Sequence, residues 1–97
     1  MNTVNIVGKI LENPEKSVSS SGVKLARFKI GVEKNKEDST AIDVFEVVVF
    51  RELADADLQV GQYVGVTGKL SSNNYEKDGK KYYNCSLVGN SLSLCTN

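Results

Sequence analysis

Apolar and polar residues alternate with a period of two along most of this chain, which predicts strands rather than helices. Val4 to Leu11 places Val4, Ile6, Gly8 and Ile10 on one face, and Pro14, the only proline, follows where a central ladder has to stop. Ser19-Ser20-Ser21-Gly22 reads as a turn. Alternation resumes with Ala26, Phe28, Ile30 and Val32 on one side and Arg27 and Lys29 on the other. This is the signature of a half-buried strand with a basic outer face. Glu33 to Ser39 reads as a charged, solvated, mobile loop.

The stretch from Ala41 to Leu70 organises the rest. Its first part is apolar on both faces, with Asp43, Phe45, Val47 and Val49 on one and Val44, Glu46, Val48 and Phe50 on the other. One face packs the core; the other is left for an interface or a binding platform. Arg51 to Leu58 reads as a short helical piece whose Leu53, Ala54 and Leu58 form an apolar cap. Val64, Val66 and Gly68 then alternate with Gly65, Thr67 and Lys69, and Gly61, Gly65 and Gly68 suit the bent strand of a small barrel. Ser71 to Lys81 is the most polar stretch, with Asp78-Gly79 as a hairpin turn. Tyr82 to Val88 is a fifth strand, with Tyr83, Cys85 and Leu87 opposite Tyr82, Asn84 and Ser86. Ser91 to Cys95 alternates again and can continue or close the barrel. Three strands, a short helix and two strands is the order of an all-β, five-stranded OB-fold barrel, with the helix between strands 3 and 4. Residues 1–97 read as one domain without repeats or linkers.

Composition narrows the function. The chain has 97 residues, 40% apolar and 25% charged, as in a globular protein. No apolar run nears the roughly 20 residues of a membrane helix. The N-terminus lacks a signal-peptide pattern, so a soluble cytoplasmic protein is expected. Cys85 and Cys95 are far apart and histidine is absent, which predicts no metal site, no cofactor and no general base for a nucleophile. Asp55 and Asp57 are too close in sequence to share a helix face, and Asp43 and Glu46 point to opposite sides of their strand, so no enzyme and no small-molecule substrate are expected. Both cysteines are expected to be small, buried or half-buried thiols. Net charge is zero but unevenly spread: Glu37 to Asp57 holds seven acids (37, 38, 43, 46, 52, 55 and 57) against one base, Arg51. A basic face elsewhere is compatible with that total.

Sequence-tolerant binding of a single strand needs aromatic faces for bases and a line of cations for phosphates. Phe50, Tyr75 and Tyr82 are the candidates for the first; Lys9, Arg27, Lys29, Lys69, Lys80 and Lys81 for the second, all on outward strand positions or in the long hairpin. Phe50 could instead cap the core, whereas a ring at Tyr75 has no core to fill. Tyr63, beside a turn, is expected to pack on the helix.

Several segments resemble the bacterial and phage single-stranded DNA-binding protein family. They are Val7-Gly8-Lys9-Ile10 with Pro14-Glu15, Ser21-Gly22-Val23 with Ala26 to Ile30, Asp43 with Val47 to Phe50 and Glu52-Leu53-Ala54, and Val60-Gly61, Val64, Val66, Gly68-Lys69-Leu70 and Asp78-Gly79 with Tyr83. The resemblance covers roughly residues 2 to 95. It implies an OB barrel that binds single-stranded DNA with little sequence preference in replication, recombination or repair, usually as a tetramer, with a dimer as the alternative. Phe50 and Tyr75 fall at family stacking positions. Val44 stands where the family often has an aromatic residue, and Glu46 where a basic or neutral one is common. The chain stops at Cys95-Thr96-Asn97, without the family's acid-tipped tail. With alternation added, Phe45, Val47 and Val49 are expected to build the barrel, and Val48 and Phe50 to floor a groove. The competing expectation is a dimeric assembly module similar to primosomal replication protein N.

Overall fold

The computed structural model describes residues 1–34, 37 and 41–95, and most of the expected charged loop lies outside them. Six strands form: β1 (Val4–Ile10), β2 (Glu15–Val18), β3 (Lys24–Glu33), β4 (Ile42–Phe50), β5 (Tyr63–Lys77) and β6 (Lys80–Cys95). The sheet order is β1-β5-β6-β4-β3-β2, and β1 also pairs with β3, so five strands close a ring. This is the expected OB-fold barrel. β3 carries both β2 and β1 on one edge, β2 against Lys24 to Arg27 and β1 against Ile30 and Gly31. Pro14 sits in the gap between those two pairings, where no ladder hydrogen bond is needed.

The core follows the alternation. Ile10, Phe28, Ile30, Val47, Val49, Val64 and Val66 are fully buried, and Ala26, Ala54, Leu58 and Leu87 complete the cluster. Each such aliphatic or aromatic side chain contributes about 1.5–3 kcal/mol by leaving water. Phe45 departs from expectation: it is 40% exposed. β6 pairs with β4 only at Val47 and Val48, so at Phe45 the second edge of β4 has no neighbour to cover the ring.

The helical piece is a single 3-10 turn, Arg51–Asp55, and the chain is extended again at Ala56. Phe50 at its N-cap supplies no side-chain acceptor, so nothing holds a longer helix open at its start. Ala54 and Leu58 close one end of the barrel, with Leu53 half-buried beside them.

β5 and β6 are longer than expected, 15 and 16 residues. They merge the polar stretch, the fifth strand and the C-terminal segment into one hairpin. Thr67 pairs with Ser91 but Gly68 pairs with Gly89, so Asn90 is an extra, bulged residue. A Cβ on Gly68 would collide with the Val88 carbonyl oxygen, so only glycine fits at this bend. Beyond Gly68, β5 has left β1, and the hairpin runs out from the barrel as a two-stranded ribbon. Asp78 and Gly79 turn it, both with positive φ, as a two-residue type I′ connection requires. Cys85 lies on this ribbon and Cys95 at the end of β6, and both are exposed, against expectation, because neither position faces the ring interior.

Candidate nucleic-acid interface

Register fixes which side chains share the outer face. Antiparallel partners point the same way, so Leu25 lies beside Phe50, Arg27 beside Val48, and Lys29 beside Glu46. The parallel contact of β4 with β6 puts Val48 beside Val88, and Val88 is opposite Lys69. One row therefore crosses four strands as Arg27, Val48, Val88 and Lys69, with a cation at each end and two valines between. Val48 is 7% exposed, while Phe50 is exposed beside Leu25.

The same outer phase continues along the ribbon. Tyr75 and Tyr82 are cross-strand partners with ring centroids 5.1 Å apart and planes at 14°. This pair lies six residues beyond Lys69, roughly 20 Å along the strand. Lys77 and Lys80 face each other two pairs further out on the same face, next to the turn, and both are exposed. Sequence reasoning missed Lys77. Its signal was its symmetry with Lys80 about Asp78-Gly79. Lys81 pairs with Glu76 and points to the opposite side of the ribbon from Lys80 and Tyr82.

The structure thus brings Arg27, Lys29, Phe50 and Lys69 together on the barrel, and Tyr75, Tyr82 and Lys80 together on the ribbon that continues it. Lys9 stands apart on β1, opposite Gly31 and Tyr63, at the margin where the ring closes. There it lines a cleft of about 590 Å³ with Val7, Leu11, Ile42 and Tyr63. Tyr63 lines the same cleft, on the outward phase of β5 opposite Lys9. Among the described residues no group of three or more His, Cys, Asp or Glu side chains is placed to hold a metal ion. Among the described residues no helix is long and apolar enough to cross a membrane.

A closed five-strand ring with a basic and apolar outer face and a projecting ribbon defines an OB-fold barrel. Comparison with known proteins agrees. The model of the single-strand binding protein family matches residues 1–95. The chain is 30% identical over 101 residues to "Single-stranded DNA-binding protein 1" of Staphylococcus aureus (strain MSSA476), covering 97% of this chain and 65% of that protein. It is 33% identical to "Single-stranded DNA-binding protein 3" of Listeria innocua, covering 97% and 63%. A solved structure, "Plasmodium falciparum SSB complex with ssDNA", superposes with a TM-score of 0.84 at 20% identity, over 99% of this chain and 96% of the other. The chain belongs to the single-strand binding protein family. It spans somewhat less than two thirds of the length of the curated relatives it matches.

Proposed function

We propose that this protein binds single-stranded DNA with little sequence preference, by base stacking and phosphate contacts, and serves replication, recombination or repair as a non-enzymatic binder in the cytoplasm. The observation that carries this reading is the row Arg27, Val48, Val88, Lys69 with Phe50 at its rim and the stacked tyrosines beyond it. Bases meet the apolar floor and the aromatic rings, while phosphates meet Arg27, Lys29, Lys69, Lys77 and Lys80. Every base has a π-face, so stacking is tolerant of sequence and contributes about 1–3 kcal/mol per base. The relatives' names point the same way.

A second copy of the chain is the proposed partner protein, in a tetramer or a dimer. Val7, Leu11 and Ile42 are exposed apolar side chains around the cleft by Lys9, on the side of the ring away from the Phe50 rim. Family membership favours their burial between copies.

Titration with an oligothymidine tests the binding site. Phe50→Ala is expected to weaken binding about fivefold or more, and Arg27→Gln to weaken it and flatten its salt dependence. Unchanged affinity in both variants contradicts the site. Light scattering on Val7→Glu tests the assembly, with a shift to smaller species expected.

A further inference from the structure

One residue on the outer face opposes a polyanion. Glu46 lies at the centre of β4, cross-strand from Lys29 and between Val44 and Val48 on the same phase. It is exposed, and it forms no ion pair or side-chain hydrogen bond among the described residues, Lys29 included. Its two oxygens are therefore free, and a carboxylate only accepts hydrogen bonds. A phosphate passing over Glu46 is repelled, so the strand crosses this point with a base turned inward. Lys29, within about 5.5 Å at the Cβ level as a direct cross-strand partner, is left to take the phosphate of that nucleotide. Val44 and Val48 offer the base edge no other polar partner from β4.

We propose that Glu46 biases this face toward bases that carry an exocyclic amino group, cytosine foremost, and against thymine. Cytosine presents an N4 amino donor to a carboxylate, whereas thymine presents a carbonyl oxygen at the same place. The bias is laid over otherwise sequence-tolerant binding, and it rests on the proposed single-stranded DNA reading.

The test titrates wild type, Glu46→Gln and Glu46→Lys with oligodeoxycytidine and oligothymidine of equal length at one salt concentration. Glutamine has the same shape but offers both a donor and an acceptor, so it serves either base. The expected result is that Glu46→Gln tightens oligothymidine binding more than oligodeoxycytidine binding. The ratio of the two affinities then changes by about fivefold, the lower end of discrimination by one base contact. Glu46→Lys is expected to tighten both and to lose the ratio as well. Equal tightening of both oligonucleotides by Glu46→Gln, the signature of charge repulsion alone, overturns the proposal. Failure of the wild type to bind either oligonucleotide overturns the underlying reading, and this inference with it.

Discussion

Tyr75 and Tyr82 stack on each other across the β5–β6 ribbon, 5.1 Å between ring centroids and 14° from parallel. Each ring covers one face of the other, so the pair offers its outer faces as a single platform. Replacing either tyrosine by alanine dismantles that platform. Each single variant is expected to weaken single-stranded DNA binding by about 1–3 kcal/mol. The double variant is expected to lose clearly less than the sum, by the logic of a double-mutant cycle. Fluorescence titration of the four proteins checks it, and strict additivity would show two independent sites.

Lys77 and Lys80 form the next cross-strand pair toward the turn on the same face of the ribbon as the tyrosines, with Glu76 and Lys81 paired between them on the other face. Like charges set opposite each other disfavour the free hairpin, and a phosphate between them relieves the repulsion. Lys77→Gln and Lys80→Gln should each reduce the slope of log affinity against log salt by about 0.7, the value for one phosphate on a single strand. Lys81→Gln, opposite Glu76 on the other side of the ribbon, should reduce it less. Titrations across a salt series measure all three.

At the barrel's bend, Gly68 has no room for a side chain. A Cβ there collides with the Val88 carbonyl oxygen and meets the Gly89 Cα at 2.9 Å, all backbone. Gly68→Ala is expected to cost at least about 3 kcal/mol, the upper range of overpacking, because backbone cannot move aside as a rotamer can. Chemical denaturation measures it.

Core and surface should respond unequally. Phe28 is fully buried, and Phe28→Ala is expected to cost about 3–5 kcal/mol. Lys24 bonds Asp55 at 2.7 Å, but both side chains are more than half exposed. Lys24→Gln is therefore expected to cost at most about 1 kcal/mol, since water and salt screen the pair. Thermal or denaturant unfolding of the two variants gives the comparison.

The ring was legible because its strands have a buried face: Val4, Ile6 and Ile10, then Ala26, Phe28 and Ile30, then Val64 and Val66 keep their period against one core. β2 was missed because all four of its residues are exposed and leave no alternation to read. The ribbon hid for the same reason. From Ser71 to Lys81 there is no core to alternate against, and only the Asp78-Gly79 turn spoke in sequence. The outer face was half visible. Strand phase picked out Arg27, Lys29 and Lys69, but the row joining them through Val48 and Val88 needs the parallel β4–β6 register, which no local pattern encodes. The same lack of pairing information left Phe45 assigned to the core, and Lys77 unremarked beside Lys80.

The central claim is that one outer face, from Arg27 across to Lys69 and out along the ribbon, holds an unpaired strand. Its most direct measurement is the affinity of the wild-type protein for one oligonucleotide as a single strand and as the matching duplex, each across a salt series. The account predicts tight binding to the single strand that weakens steadily with salt, and much weaker binding to the duplex, whose bases are not free to stack on Phe50, Tyr75 and Tyr82. Equal affinity for the two forms, or a single-strand affinity indifferent to salt, would contradict it.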